Sequence, residues 1–295
     1  MTNNIEVPSL ASSALLVRYS CGIPSFKVQD KQASRELAHS KNADAEAIKV
    51  NKNMLEGNKT LARLRTLNGF ARNHITYRYS QPWDDGGWRL LTTPNYITAH
   101  ELYTETIAEF ETGRDDFLEN EYAFTQTHAE AVLGDLYDAT KFPSADALRD
   151  KFYMRVEYKQ LPDSGDCRLD IPNEARAILE ASFAQQQDAK LNGAMNDIWQ
   201  QLHTALSTMT VRLTDACEGE KNTFRNSLVT NVLDVCDLLR TCNVTGDSQM
   251  EAMRMRVEGA LRGITPEGLR DDSFLRAETS DKVEDILKSL PSLDM

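Results

Sequence analysis

The stretch NYITAHELYTETIAEFETGRDDFLENEYAFTQTHAEAVLGDLY, residues 95–137, is the longest periodic segment of the chain. Its apolar and aromatic side chains recur every three or four residues, which predicts a stripe along one long α-helix that bends or splits at Gly113. Unbroken, its roughly 40 residues would span about 60 Å. A rod of that length needs partner helices in a bundle or in another protomer to cover its stripe. The stripe comprises Tyr96, His100, Tyr103, Ile107, Phe110, Phe117, Phe124, His128, Val132 and Leu136.

A second long helix is predicted to begin after Pro172, because proline is favoured in a first helical turn. Its apolar residues follow steps of three and four, the spacing of a coiled coil, and we interpret this seam as an interaction surface. Further helices are predicted from about Asn222 and over Asp247–Arg262, followed by a linker over 263–280 and a short terminal helix. The seam comprises Leu191, Met195, Ile198, Leu202, Ala205, Met209 and Leu213.

Strands are predicted near residues 14, 88, 152 and 167, and the alternating pattern of residues 152–160 is the clearest of them. Helices are predicted from about Asp30, over 43–55, and after Ser144, which is a favourable N-cap. The predicted fold class is α+β, predominantly helical, a long-helix bundle with a small antiparallel sheet. The predicted organisation is a flexible tail (1–13), an α+β domain with one long helix (14–171), a helical bundle or coiled-coil region (172–262), and a linker with a short terminal helix (263–295).

The chain has 295 residues, a net charge of −12 and a pI of about 5.0. Such an acidic protein does not attract phosphate over its whole surface, so nucleic-acid binding would require a local basic patch. The five cysteines form no CxxC pair, which is typical of reduced thiols. A signal peptide pattern is missing, and no apolar run reaches the roughly 18 residues of a membrane helix. We therefore expect a cytoplasmic protein with no membrane partner.

Motifs for catalysis, such as GxSxG, GxGxxG, the P-loop and HExxH, do not occur in the sequence. This favours a non-enzymatic protein without a cofactor. Two acidic turns support an alternative, a metal-dependent enzyme, because carboxylate oxygens bind Mg²⁺ or Ca²⁺. Asp and Gly are also ordinary turn formers. The candidate metal ligands are Asp84, Asp85, Asp163 and Asp166.

Six basic residues between positions 52 and 79 accompany a single acid, Glu56. Basic side chains follow phosphates and aromatic rings stack on bases, which predicts a single-stranded nucleic-acid surface of an accessory protein in replication or recombination. Residues 101–121 carry eight acids against Arg114 alone, so the two segments are alternatively predicted to neutralise each other, or the acidic one to dock a basic partner. The candidate nucleic-acid residues are Lys59, Arg63, Arg65, Arg72, Arg78, Tyr77 and Tyr79.

The stretch PWDDGGWRLLTTPNY (82–96), the long helix after it, and YDATKFPSADALRDKFYMRVEYKQLPDSGDCRLDI (137–171) resemble an uncharacterised family of phage and mobile-element proteins. The resemblance covers about residues 14–175. Members of that family are often encoded beside a MoxR-like AAA+ ATPase and a von Willebrand A-type protein, or near recombination genes. The resemblance implies a phage or mobile-element origin, action inside a bacterial host, and a non-enzymatic role beside a protein partner such as the ATPase, or self-association.

Overall fold

The computed structural model of the protein describes residues 10–44, 46–55, 57–161, 172–217, 227–243 and 247–290. The helices within these ranges are α1 (Leu10–Ser13), α2 (Lys31–Ser40), α3 (Lys59–Phe70), α4 (Tyr77–Tyr79), α5 (Thr93–Asp116), α6 (Tyr122–Leu133), α7 (Ala145–Arg149), α8 (Asn173–Cys217), α9 (Ser227–Cys242), α10 (Ser248–Leu261), α11 (Pro266–Asp271) and α12 (Ser273–Lys288). The strands are β1 (Ala14–Gly22), β2 (Lys27–Asp30), β3 (Val50–Asn53), β4 (Ser80–Pro82), β5 (Arg89–Thr92) and β6 (Tyr153–Gln160).

The predicted fold class, predominantly helical α+β with a small antiparallel sheet, is confirmed. Four strands lie in the order β4-β5-β1-β6, and β1 pairs with β5 so that Ala14 lies opposite Thr92. The strands predicted near residues 14, 88 and 152 are present, whereas the one predicted near 167 lies outside the described residues. The helix predicted over 43–55 is wrong, because Val50–Asn53 form β3 and pair with β2.

The chain divides into two compact units. The first unit contains residues 1–18, 76–99 and 157–295, and the second contains residues 19–75 and 100–156. The boundaries fall inside β1, α5 and β6, so neither unit corresponds to a contiguous stretch of sequence. The division therefore differs from the predicted boundary between residues 171 and 172.

The core of the first unit is built around the C-terminal half of α8, which packs against α9 and α12, and α10 completes this core by packing on those two helices. The predicted seam supplies much of this core: Ile198, Leu202, Met209 and Leu213 are fully buried, and Met195 is nearly so. Leu191 is partly buried and packs instead on the cluster around Trp83. The interpretation of this seam as a surface for a partner is therefore corrected, because helices of the same chain already cover it.

The linker predicted over residues 263–280 is also wrong, because this segment contains α11 and the first half of α12. Side-chain caps start both helices: Thr265 Oγ1 accepts a hydrogen bond from Gly268 N, and Asp272 Oδ1 accepts one from Phe274 N. Leu269 is fully buried in the core of the first unit, so the segment is held by packing as well as by its caps.

The core of the second unit is aromatic. Phe117 lies with its ring centroid 5.8 Å from the rings of both Tyr122 and Phe152, and 6.2 Å from that of Phe26. The α3 helix packs on α5 at Gly113, where an added Cβ would lie 3.1 Å from Leu64 Cδ2. A close approach of two helices therefore accounts for this glycine, and α5 is not split there.

The irregularity of the long helix lies instead at Phe117–Glu121, a π-helical turn between α5 and α6. The backbone N–H of Tyr122 donates to the carbonyl oxygen of Phe117, five residues earlier. A π turn contains one residue more than an α turn needs, so it rotates the following residues by about 100° around the axis. The inward positions after the turn are consequently Tyr122 and Ala129, and the predicted stripe continues on the outside.

Candidate interaction surface

An open cavity of about 490 Å³ lies in the second unit, between the β3–α3 loop and α6. Its lining comes from residues 53–55, 57–59, 120–121, 124–125, 128–129 and 132–133, and we refer to it as the α6 groove. Met54 and Leu55, both buried, contribute from the loop, and the buried Ala129 contributes from the helix. Apolar side chains thus dominate a concave surface, which is the usual character of a binding site.

One wall of the α6 groove is formed by large apolar side chains that remain exposed. Phe124 is 78% exposed and Val132 is 58% exposed, with His128 between them. Leu136 continues this row beyond the end of α6 and is also exposed. Exposed apolar side chains clustered on one face, as opposed to scattered singly, mark surfaces that bind other molecules.

Glu121 joins the two walls at one end of the α6 groove. Its Oε1 accepts a hydrogen bond from Thr60 Oγ1 at 2.6 Å, and its Oε2 accepts one from Asn58 Nδ2 at 3.1 Å. Asn58 is at the same time the N-cap of α3, because its Oδ1 accepts from Leu61 N at 2.8 Å. The same three residues therefore start α3 and attach the loop before it to the π turn.

Lys52 makes the corresponding connection beyond the other end of α6. Its Nζ donates to the carbonyl oxygen of Leu136 at 2.6 Å and lies 3.6 Å from Asp30 Oδ2. Asp30 is the N-cap of α2, with its Oδ1 2.9 Å from Ala33 N. That N–H, and to a lesser degree Lys52, lower the pKa of Asp30. The charged form of Asp30 is therefore the one that the fold favours.

The predicted nucleic-acid residues do not form a single basic face. Arg63 pairs with Glu109 at 2.7 Å in the second unit, and Arg78 pairs with both carboxylate oxygens of Asp234 in the first. Both arginines thus face acids of the same chain, but only the Arg63–Glu109 pair joins the basic segment to the acidic segment 101–121, as the alternative of internal neutralisation predicted. The remaining candidates are Lys59, which lines the α6 groove, the exposed Arg65, Arg72 and Tyr77, and the half-buried Tyr79.

The acidic turns do not assemble a metal site in the part of the chain that the structure describes. Asp84 Oδ1 accepts a hydrogen bond from Trp88 N at 3.0 Å, which is the role of an ordinary turn former. Asp85 is exposed, and Asp163 and Asp166 lie outside the described residues. Within the described ranges no group of three or more His, Cys, Asp or Glu side chains is arranged to hold a metal ion.

The thiols of α9 are poorly suited to nucleophilic chemistry. Burial raises the pKa of Cys236 to about 12 and that of Cys242 to about 11. Reactive cysteines instead require a lowered pKa, because the thiolate is the nucleophile. Both side chains are buried in the core of the first unit, where their role is packing.

Met54 and Leu55 are the groove residues that the sequence analysis did not identify. The segment 43–55 was interpreted as a helix, so its last two residues were not expected to line a loop. Asn58 was the available signal, because an asparagine directly before a helical segment marks an N-cap and therefore a loop before it.

Comparisons with known proteins found no match to a family model, to a curated protein or to a solved structure. Among the helices that the structure describes, none combines the length and the apolar character required to cross a membrane.

Proposed function

We propose that this protein is a non-enzymatic interaction or scaffold protein that binds another polypeptide through the α6 groove. The observation that carries the proposal is the exposure of Phe124 and Val132 beside a cavity of about 490 Å³. Burying an apolar side chain of this size contributes about 1.5–3 kcal/mol. A partner that covers both side chains would gain several kilocalories per mole towards the cost of association.

The polar residues of the α6 groove support binding rather than catalysis. Glu121 already accepts hydrogen bonds at both carboxylate oxygens, so neither oxygen is directed at a substrate. A general acid or base must reach the proton that it transfers, and a nucleophile needs an adjacent base. Grooves whose exposed surface is mostly apolar are instead typical of sites that receive a helix or an extended segment.

We further propose that the protein acts inside a bacterial host and has a phage or mobile-element origin. The support for this is the resemblance of residues 14–175 to a family often encoded beside a MoxR-like AAA+ ATPase. That ATPase is the first protein partner to test.

The proposal is tested by placing a photo-crosslinking phenylalanine analogue at position 124 and, as a control, at position 274. Phe274 is 76% exposed, close to the 78% of Phe124, but it lies on α12 in the first unit. We expect protein adducts on irradiation in expressing cells from position 124 and not from position 274. Equal adduct formation at the two positions, or none at 124, would contradict the proposal.

A second candidate function, binding of single-stranded nucleic acid, is favoured by one feature of the second unit. The exposed rings of Phe70 and His74 stack with their centroids 5.3 Å apart, and the exposed Arg65 and Arg72 lie nearby in sequence. Stacked rings beside cationic side chains are the elements of a single-strand platform.

This second candidate is tested by fluorescence anisotropy with a labelled oligothymidine. Replacing Arg65 and Arg72 together by glutamate should weaken binding by at least tenfold, and raising the salt concentration should weaken it further. Binding that is unaffected by the double substitution would exclude this surface.

A further inference from the structure

We propose that the polypeptide received by the α6 groove is a second copy of this chain, whose α6 lies antiparallel to the first about a two-fold axis at His128. This inference rests on the proposed function, because it identifies the partner for the same surface. Three features of α6 carry it: its charge, its symmetry and the size of its side chains.

The α6 helix is almost free of charge in a strongly acidic protein. Tyr122–Leu133 contains one acid, Glu130, and neither lysine nor arginine, whereas the whole chain carries −12. At about 100° per residue, Glu130 projects away from the row formed by Phe124 and Val132. Two copies of an acidic chain repel each other unless the surfaces they bring together are uncharged. Between Glu121 and Asp135, the exposed row of Phe124, His128 and Val132 meets this condition.

The exposed row on α6 is symmetric about its central residue. Phe124 precedes His128 by four positions, and Val132 follows it by four. A two-fold rotation through His128 therefore places Phe124 of each copy against Val132 of the other, and each contact occurs twice. Both exposed apolar side chains of this row become buried in the same arrangement.

A second row of exposed residues runs beside the first and contains only small side chains. Ala123, Thr127 and Ala131 also follow steps of four and are all exposed. Rows spaced by four residues form the ridges that interdigitate in the commonest class of helix packing. The ridge of Phe124, His128 and Val132 in one copy thus fits the shallow groove above the small row of the other.

The size of this surface predicts a weak dimer. The twelve residues of α6 extend only about 18 Å. One face of so short a helix provides less than the roughly 800 Å² per partner that a standard interface buries. The exposed Leu136 extends the surface beyond the end of α6. We therefore expect reversible association that increases with protein concentration.

The test uses the full chain and two single variants, Phe124→Asp and Val132→Lys, in sedimentation velocity over a wide range of concentration. The wild type should dimerise reversibly, and each variant alone should associate at least about tenfold more weakly, because each loses a buried apolar contact twice. An equimolar mixture of the two should recover association. In the mixed dimer the carboxylate introduced at position 124 meets the ammonium introduced at position 132, while the second Phe124–Val132 contact is intact.

Phe274→Asp is the matched control, since it removes an equally exposed phenylalanine from another helix, and it should leave association unchanged. Circular dichroism verifies that every variant is folded. A wild type that stays monomeric, variants that dimerise as the wild type does, or a mixture without recovery would overturn the inference. If the wild type is monomeric but the crosslinker at position 124 captures a different polypeptide, the second-copy inference fails and the proposed function stands. A monomer without adducts contradicts both.

Discussion

Phe117 and Tyr122 are five positions apart in the chain, yet their rings pack with centroids 5.8 Å apart in the core of the second unit. Five α-helical residues turn through about 500°, so in a regular helix these side chains would point about 140° apart. The π turn between them brings both into the core. The same turn directs Phe124 and Val132 outward, so one local irregularity creates both the aromatic core and the α6 groove.

Deleting Asn120 should leave the core of the second unit intact. Without this residue Tyr122 follows Phe117 by four positions, and four α-helical residues turn through about 400°, so both rings stay on one face of the helix. We expect the free energy of unfolding to change by no more than about 1 kcal/mol. Chemical denaturation measures this change.

The matched control is Asn120→Ala, which keeps the length of the turn. Asn120 is exposed and its side chain only contacts Asp116, so this substitution should change stability by no more than about 0.5 kcal/mol. If the deletion cost more than about 3 kcal/mol and the substitution did not, the π turn would do more than accommodate one additional residue.

Glu121→Ala should loosen the loop that forms one wall of the α6 groove. It removes the acceptor for Asn58 Nδ2 and Thr60 Oγ1. The site is partly exposed, so we expect a loss of about 1 kcal/mol, at the low end for hydrogen bonds to a charged group. Glu130→Ala removes an exposed acid from the same helix and should be neutral in urea unfolding. Equal effects of the two substitutions would argue against this role.

Leu202→Ala tests the assignment of the α8 seam to the core of the chain. Leu202 is fully buried, so its truncation should cost about 2–5 kcal/mol. Ile178→Ala on the same helix, where the side chain is 73% exposed, should cost at most about 0.5 kcal/mol. The dependence of unfolding on protein concentration should be the same in Leu202→Ala as in the wild type, because the seam packs within one chain. If unfolding of the wild type depended on protein concentration and unfolding of Leu202→Ala did not, the seam would be an interface between chains.

Asp30 should make stability depend on pH. Its folded-state pKa is lowered by the N–H of Ala33 and by Lys52, so its contribution is complete above the ordinary pKa of about 3.9 and is lost as pH falls through the folded value. Asp30→Asn should therefore be less stable than the wild type near neutral pH, and the difference should shrink in acid. Urea unfolding at both pH values measures it.

A second variant identifies the cause of this pH dependence. In a Lys52→Met background, Asp30→Asn should still lower the stability near neutral pH, but by less than it does in the wild type. The effect persists because the Ala33 N–H lowers the pKa of Asp30 more than Lys52 does. If the free energies of unfolding of the wild type and Asp30→Asn differed by the same amount near neutral pH and in acid, Asp30 would be excluded as a source of the pH dependence.

Elements that local chemistry determines could be predicted from the sequence. The strands near residues 14, 88 and 152 are present, and Ser144 caps α7 through a 3.2 Å hydrogen bond from Ala147 N to its hydroxyl. Alternation and N-caps act within a few residues, so their signals are readable along the chain. The β3 strand was not predicted, because it is stabilised by pairing with β2, more than twenty residues away in sequence.

The candidate site was predictable only in part. Phe124, His128 and Val132 belong to the stripe read from the sequence, but Met54 and Leu55 do not, and the α8 seam was assigned to the wrong role. Coiled-coil spacing shows that a helix has an apolar side, and that side can equally face another helix of the same chain. In this protein α9, α10 and α12 cover it.

The sequence by itself determined that the chain is mostly helical, that its helices carry apolar stripes, and that its net charge is strongly negative. Only the tertiary structure decided which stripe is buried. The α8 seam is covered by helices of its own chain, whereas the stripe on α6 is turned outward by a single additional residue in a π turn. Periodicity specifies the spacing of side chains along a helix, but the side that faces the core is selected by the packing of Phe117 and Tyr122 against distant residues.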